Sequence, residues 1–311
     1  MQMNLLKKFI QYSQFSTGDF EKIFSDFDVP PCPQVVLTLM EMLKNPDIDI
    51  EQIVSVLESD PSLASQILKV VNSALFALPT QVASVSKAVS ILGLREIENL
   101  AIGYAMLDTA KDPQWQGFDY ERYWSDSILR ALFSRNCAQF MGIDAEEAFS
   151  AGLLQDIALP QLLSQWFDLY SKVYSKWLSE GGDIHQMEKE AFSWNHCQAG
   201  AWIAKNWGLP DLFICCIGLH GARQMEIKEL GLEETAVVPV ALSSRLNQTG
   251  FTEEDAAYLL DEARETGIGI GDLLELIEKS ELLVDELAVA FGVKTAQGQP
   301  LSESIAAISQ E

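Results

Sequence analysis

Apolar residues recur at helical spacing along nearly the whole chain, and this pattern restricts the possible folds more than any other feature. Val36, Leu39 and Leu43, for example, lie at positions i, i+3 and i+7, so a helix would place them on one face. No segment shows the strict alternation of apolar and polar residues that is typical of a half-buried strand. The sequence therefore predicts an all-α fold with many helices.

Helix-capping residues divide this pattern into separate helices. Asp60 and Pro61 predict the start of one helix, because aspartate can accept from the first free backbone N–H groups and proline suits the first turn. Asn72 and Ser73 are expected to end this helix or to pin it to a neighbour, with a direct ligand role as the alternative. We interpret these four residues mainly as structural.

Longer helices are predicted in the second half of the chain. One is expected from Tyr120 to Met141, because Gly142 provides the left-handed residue that commonly ends a helix. The next is expected to run without a break over residues 145–163. His185 lies just inside a further helix, among polar neighbours, and is expected to be exposed.

The chain divides into three predicted parts, with a break inside the second. Asp112 and Pro113 interrupt the helical pattern, so we expect the central part to consist of two helical halves. The predicted parts are a helical segment over 1–19, a domain over 20–225 with halves 20–112 and 113–225, and an acidic helical extension over 226–311. The polar residues from Thr295 onward are expected to be frayed.

Composition limits the classes of partner. Of the 311 residues, 48% are hydrophobic, which is enough to build a core and argues against intrinsic disorder. The formal net charge is −24, and it repels phosphate backbones and anionic lipid surfaces. The extension is the most acidic part, with 18 Asp and Glu residues against five Lys and Arg residues. We therefore expect no nucleic-acid partner and no membrane partner.

Cysteine usage and the absence of apolar spans predict a cytoplasmic protein. The five cysteines form no CxxC pair, and Cys215 and Cys216 lie side by side in an apolar run. This pattern favours small core residues in a reducing compartment over a disulfide framework. No segment has the length and composition of a signal peptide or of a membrane-spanning helix.

A polar doublet stands inside a short apolar stretch of the second half. Gln155 and Asp156 interrupt an otherwise small and apolar run over residues 151–158. Burying such a pair is costly unless hydrogen bonds or a metal compensate for the lost hydration. Asp156 is therefore expected to be bonded to neighbours such as Gln155 or His196, to belong to a vestigial metal site, or to be exposed.

Eight short motifs occur in an order that resembles the HDOD domain, a bacterial module related to the HD phosphohydrolases. The resemblance covers residues 20–225. In the first half the motifs are Pro31-x-Pro33, Asp60–Ala64, Val71–Phe76 and Ala88–Gly93, and in the second half they are Tyr123-Trp124, Ala151–Leu154, His196-x-x-x-Gly200 and Trp207–Pro210. The resemblance implies an all-helical HD-like fold and a role in bacterial signalling.

The resemblance also implies where a metal site would lie, because the HD relatives bind metals through histidines and aspartates on several helices. Asp126 stands at the position of the family's first histidine. Gln155 and Asp156 stand at the His-Asp doublet, so that an amide replaces the histidine. Leu159 stands where a lysine often follows the doublet to hold a phosphate.

Three further positions complete this comparison. His196 stands where the family keeps a histidine, and His220 stands at the second position of a common histidine pair. Ser244 stands near the place of a final aspartate. The remaining donors are Asp126, Asp156, His196 and His220, which could hold one divalent ion but could not readily assemble a two-metal cluster. For His196, a structural bond to the backbone or to a carboxylate is the alternative to metal ligation.

These observations favour a non-catalytic regulatory module of bacteria that acts by binding another signalling protein, without a catalytic residue and without a cofactor. A groove between the two helical halves is the expected place for that partner. Two other functions remain open. One is a metal-dependent phosphohydrolase with an altered site and one divalent metal ion, and the other is a small-ligand sensor that binds a nucleotide without chemistry.

Overall fold

The all-α prediction is confirmed by the structure, a computed structural model. It describes Lys7 and residues 20–43, 48–107, 109–247, 250–296 and 300–308. Helices make up most of this part of the chain, with turns and longer loops between them, and no strand occurs within it. The predicted helical segment over 1–19 lies outside the described residues, apart from Lys7.

In its described residues, the first half contains six helices that pack around a common apolar core. Their bounds are α1 Phe20–Ile23, α2 Gln34–Leu43, α3 Ile50–Glu58, α4 Pro61–Val71, α5 Val85–Leu92 and α6 Leu94–Leu107. The spacing of the apolar residues brings Val36, Ile53 and Ile67 into this core, where they are fully buried.

Thirteen helices occur in the part of the second half and the extension that the structure describes. Their bounds are α7 Tyr120–Met141, α8 Ala145–Leu154, α9 Ala158–Gln165, α10 Phe167–Glu180, α11 Ile184–Phe192, α12 His196–Asn206, α13 Asp211–Leu219, α14 Gln224–Glu229, α15 Val237–Ser243, α16 Glu253–Glu265, α17 Ile270–Glu281, α18 Val284–Phe291 and α19 Leu301–Ile308. None of the helices in the described ranges combines the length and apolar character needed to cross a lipid bilayer.

Helix α7 is the centre of the second half and has the predicted bounds. The Asp119 side chain accepts from the backbone N–H of Arg122 at its start, and Gly142 ends it with a left-handed φ of 72°. The helix packs against α8 on one side and against α15, α17 and α18 on others. Because α15, α17 and α18 belong to the acidic extension, that extension forms part of the same core as α7.

The predicted uninterrupted helix over 145–163 is wrong, because the structure has a break at residues 155–157. Helix α8 ends at Leu154, and α9 begins at Ala158. Pro160 gives the physical reason: proline has no backbone N–H for an i−4 bond, and its ring would collide with the carbonyl of Asp156. Pro160 therefore fits only within a first helical turn, and the Gln155-Asp156 doublet lies in a tight turn rather than in mid-helix.

The predicted fraying from Thr295 is also wrong for the described part of that segment. Residues 301–308 form α19, and the side chains of Leu301 and Ile305 are buried. The carboxylate of Glu281 accepts from the backbone N–H of Leu301 at 2.6 Å. Two apolar residues at i and i+4 are enough to hold this short helix against α17 and α16.

The residues interpreted as structural shape the connection around α4. Asp60 accepts from the backbone N–H groups of Ser62 and Leu63 at 3.0 and 3.1 Å. The amide of Asn72 donates to the carbonyls of Leu68 and Val82, and its oxygen accepts from the Val82 N–H at 2.7 Å.

Ser73 donates to the carbonyl of Val70 at 2.6 Å. Asn72 therefore joins the end of α4 to the loop that precedes α5, which is the pinning role expected from the sequence.

Two partly buried carboxyl groups are expected to make the folded state more stable as the pH is lowered below about 7. Burial raises the pKa of Glu98 to about 7, and burial together with the nearby Asp144 raises the pKa of Glu147 to about 7. Between the ordinary glutamate pKa and pH 7, the folded state binds more protons than the unfolded chain, so stability falls as pH rises through this window.

Glu98→Gln should therefore raise the midpoint of thermal unfolding at pH 8 relative to wild type, and the gain should shrink at pH 5.5. The exposed residue Glu58 provides the control, and Glu58→Gln should leave the pH dependence unchanged. If the unfolding midpoints of Glu98→Gln and wild type depended on pH in the same way, the raised pKa of Glu98 would be contradicted.

Candidate functional site

The three histidines of the chain lie together in one buried cluster. His185 lies in the first turn of α11, His196 begins α12, and His220 follows the last residue of α13. The centroid of the His185 ring lies 4.7 Å from that of His196 and 5.3 Å from that of His220, and the last two are 5.1 Å apart. Since they come from three helices, only the tertiary fold brings them together.

Asp156 reaches this cluster from the turn between α8 and α9. Its Oδ1 lies 3.1 Å from Nε2 of His196 and 3.3 Å from Nε2 of His220. The two Nε2 atoms lie 3.1 Å from each other. The break in the helix at residues 155–157 thus allows a carboxylate to point at two imidazoles.

Oxygen acceptors determine which nitrogen of each imidazole faces the cluster. Nδ1 of His196 lies 2.8 Å from the carboxylate of Glu188, and Nδ1 of His220 lies 2.7 Å from the carbonyl of Ile217. A carboxylate or carbonyl oxygen only accepts, so each Nδ1 carries the hydrogen and donates. Nε2 of each imidazole then faces Asp156 and carries a proton in the charged form or a lone pair in the neutral form.

A second layer supports His196. Glu188 is fully buried on α11 and accepts from the Tyr170 hydroxyl as well as from the backbone N–H of His196 at 3.0 Å. One carboxylate therefore receives three donors and orients the imidazole. Such a partner behind a histidine is a common feature of metal-binding and of catalytic histidines.

Arg130 supplies a positive charge to the same site from α7. Its Nη1 forms an ion pair with Oδ2 of Asp156, and its Nε donates to the carbonyl of Leu246 at 2.7 Å. The side chain is only 11% exposed, so both partners are largely removed from water. Arg130 thus occupies the carboxylate oxygen that the imidazoles leave free.

The pKa values of the cluster move in the directions that these contacts require. Burial opposes the charge of Asp156, but Arg130 and the hydrogen bonds from two imidazoles hold its pKa well below the ordinary value. Burial would lower the pKa of His196, but the Glu188 carboxylate raises it well above the ordinary value. Burial likewise opposes the charge of His220, while the neighbouring Cys197 and Asp156 raise its pKa.

The structure brings together three of the seven family positions. Asp156, His196 and His220 are in mutual contact, as described above. The carboxylate of Asp126 instead lies 3.5 Å from Nε of Arg122, one turn earlier on α7. The amide of Gln155 donates to Ser243 at 3.2 Å, and the Ser244 hydroxyl is buried without a hydrogen-bond partner among the described residues.

These contacts do not fit the ligand set that the family resemblance implies. Arginines hold both carboxylates, since Arg122 pairs with Asp126 and Arg130 pairs with Asp156. A guanidinium bonded to a carboxylate competes for the lone pairs that a metal would need, so neither Asp126 nor Asp156 is free to act as a metal ligand.

A small cavity opens beside the cluster. Its volume is about 110 Å³, and its walls include Arg122, Arg130, Trp177, His185 and Ser244. Pockets that bury a drug-sized ligand usually enclose about 300–1,000 Å³. The cavity therefore accommodates a few waters or a small ion, and it is too small to enclose a nucleotide.

Sequence reasoning missed four residues of this site, namely Arg130, His185, Glu188 and Cys197. The expectation that His185 is exposed is wrong, because its ring is buried beside His196. Gly221 makes this burial possible, since a Cβ there would lie 2.6 Å from the His185 ring. A weak sequence signal for Arg130 existed, because it follows Asp126 by one helical turn.

Comparisons with known proteins agree with this architecture. The sequence profile of the HDOD domain family matches residues 29–222. A Shewanella amazonensis crystal structure whose name proposes a phosphohydrolase has a TM-score of 0.66 at 21% identity, covering 91% of this chain and 98% of that one. A Marinobacter aquaeolei structure whose name proposes a signal transduction protein has a TM-score of 0.64 at 23% identity, covering 92% and 65%.

A curated relative from Treponema pallidum has no characterised function. It is 25% identical over 197 residues, which cover 62% of this chain and 37% of that protein. The matched region thus spans little more than a third of the relative's length. At these identities the structural comparisons establish the fold.

Proposed function

This chain belongs to the HDOD domain family, and we propose that it is a non-catalytic regulatory module that acts in bacterial signalling by binding another protein. The contact between Arg130 and Asp156 is the observation that carries this proposal. It places a permanent positive charge on the one family carboxylate that faces the histidines.

The chemistry of the HD relatives requires a different arrangement. Metal-assisted hydrolysis needs ligands that hold the ion and an open coordination position at which water is activated. Here Asp156 is bonded to Arg130, and Asp126 is bonded to Arg122. Leu159 lines the cavity at the position where the family often places a phosphate-holding lysine. These contacts support a site that no longer turns over phosphoesters.

Turnover on a generic phosphodiester tests the lack of catalysis. The purified chain should hydrolyse bis(4-nitrophenyl) phosphate no faster than buffer, with manganese, iron(II) or zinc added in turn. Activity that Asp156→Asn removes and that Asp168→Asn keeps would identify a real active site and contradict the proposal. Asp168 is the control because it is exposed on α10.

An open groove between α4 and α18 is the surface that we propose for the partner. Its volume is about 840 Å³, and the family motif residues Pro61, Asn72 and Ser73 form part of its wall. Val289 on α18 lines the groove and is 76% exposed. An exposed apolar side chain in a groove is the usual anchor point for an apolar residue of another protein.

Val289→Lys should weaken binding to that partner by about tenfold or more, because a charge would replace an apolar anchor. The partner would first be captured from bacterial extract on the immobilised wild-type chain, and its affinity for the variants would then be measured in purified form. Leu282→Lys is the matched control, since Leu282 is 82% exposed and lies outside the groove. Equal affinities for wild type and Val289→Lys would contradict the groove as the docking surface.

A further inference from the structure

Four donor side chains form a buried cluster whose composition differs from the family set. His185, His196, Cys197 and His220 each offer one ligand atom, and these atoms all lie within 4.8 Å of one another. We propose that this cluster binds one zinc ion as a closed, structural site, with three imidazole nitrogens and one thiolate as ligands.

The orientation of all three imidazoles supports this assignment. Nδ1 of His196 donates to Glu188, Nδ1 of His220 donates to the Ile217 carbonyl, and Nδ1 of His185 lies 3.1 Å from the carboxylate of Asp183. Metal-bound histidines almost always donate their second ring N–H to such an oxygen. Each Nδ1 therefore keeps its hydrogen, so that a metal which displaces any Nε2 proton finds the Nε2 lone pair as its ligand.

His185 provides an independent observation. Its Nε2 is buried and has no hydrogen-bond partner among the described residues. An unsatisfied buried ring nitrogen costs free energy, so a ligand that accepts its lone pair would stabilise the fold. Gly221 permits the ring to occupy this position, because a side chain there would overlap it.

The donor separations are close to those of a tetrahedral zinc site. Bonds of about 2.0–2.1 Å to nitrogen and about 2.3 Å to sulfur separate two nitrogens by about 3.3–3.4 Å, and nitrogen from sulfur by about 3.6 Å. The two Nε2 atoms of His196 and His220 lie 3.1 Å apart, and Sγ of Cys197 lies 3.5 Å from Nε2 of His220. All four donor atoms lie within 4.8 Å of one another, so a small inward movement of side chains completes the tetrahedron.

The chemistry of the donors selects the metal. A thiolate and three imidazoles suit zinc, whereas magnesium, calcium and manganese prefer oxygen ligands. Asp156 lies against the two Nε2 atoms, so its carboxylate also offsets the charge of the bound ion. Since four protein ligands complete a tetrahedron, no position is left for an activated water.

This inference concerns the same region as the proposed function but does not depend on it. A closed zinc site agrees with a lack of turnover, yet the absence of zinc would leave the regulatory proposal intact. Phosphoesterase activity that does not depend on zinc would contradict the regulatory proposal and would leave the zinc assignment intact. The two experiments therefore fail independently.

Cobalt is the probe for the test, because tetrahedral cobalt(II) reports both its geometry and a thiolate ligand by absorption. The full chain is stripped with a chelator and titrated with cobalt(II) and then with zinc. We expect one equivalent of cobalt, intense visible d–d bands and a thiolate-to-cobalt charge-transfer band in the near ultraviolet. Zinc should displace the cobalt at one equivalent.

Two variants locate the ligands. Cys197→Ser should remove the charge-transfer band, and His185→Gln should weaken cobalt binding at least tenfold. Cys216→Ser is the matched control, since Cys216 is another fully buried cysteine and lies outside the cluster. Absence of both band types in wild type would overturn the proposal, as would a charge-transfer band that survives Cys197→Ser.

Thermal unfolding provides a readout that does not require folded variants. Zinc in large excess over its dissociation constant should raise the unfolding midpoint of the stripped wild-type chain by about 5–10 °C. Magnesium at the same concentration should leave the midpoint unchanged. Equal midpoints with and without zinc would contradict a site formed by the folded chain.

Discussion

Replacing Arg130 with methionine is expected to lower the free energy of unfolding by about 3–5 kcal/mol. The substitution keeps most of the apolar volume but removes the guanidinium from Asp156, leaving a carboxylate that is almost fully buried without its strongest partner. It also leaves the Leu246 carbonyl without the Nε donor. Urea unfolding of wild type and variant, with a chelator present to exclude metal effects, measures the difference.

A double-mutant cycle shows whether the lost stability comes from the interaction between Arg130 and Asp156. Arg130→Met combined with Asp156→Leu should be several kcal/mol more stable than the sum of the single substitutions, because neither charge is then left alone. Lys176→Met is the control, since it removes an exposed ion pair with Glu180 and should change stability by less than about 1 kcal/mol. A loss below about 1 kcal/mol for Arg130→Met would show that the pair contributes little to the site.

Glu188→Gln is expected to lower the free energy of unfolding by about 2–4 kcal/mol. Glu188 is fully buried and accepts from the Tyr170 hydroxyl, from the His196 backbone N–H and from His196 Nδ1. Glutamine has the same shape, but it offers one acceptor oxygen and places an NH₂ group against donors. At least one buried donor then loses its partner, and the His196 ring loses the charge that orients it.

Glu190→Gln is the matched control for this substitution. Glu190 lies on the same helix, two residues later, and is exposed. Its replacement should change stability by no more than about 0.5 kcal/mol. Equal stabilities of the two variants would contradict the second-layer role of Glu188, and an imidazole NMR signal of His196 that does not shift in Glu188→Gln would do the same.

Local signals predicted much of the helical framework. The end of α7 follows from Gly142, and the start of α4 follows from Asp60 and Pro61, because caps act within a few residues of the helix end. The break at residues 155–157 was missed although Pro160 carries the signal. Apolar periodicity continues through that break, so the pattern alone did not reveal it.

The candidate site was predicted only in part. The family resemblance identified Asp156, His196 and His220, which the structure places in contact. It could not show that Arg130 pairs with Asp156, because these residues are 26 positions apart and no local rule relates them. The exposure of His185 was misjudged because its polar neighbours in sequence are not its neighbours in space.

The sequence by itself determined the all-α class, several helix ends and the family. These features follow from short-range periodicity, capping and motif order, which are all readable along the chain. Only the tertiary structure decided which charges meet inside the site. Three histidines, Asp156 and Arg130 arrive from separate helices and turns, and their partners depend on how α7, α11, α12 and α13 pack around the turn at Asp156. Long-range packing, and not local pattern, therefore defines what this site can bind.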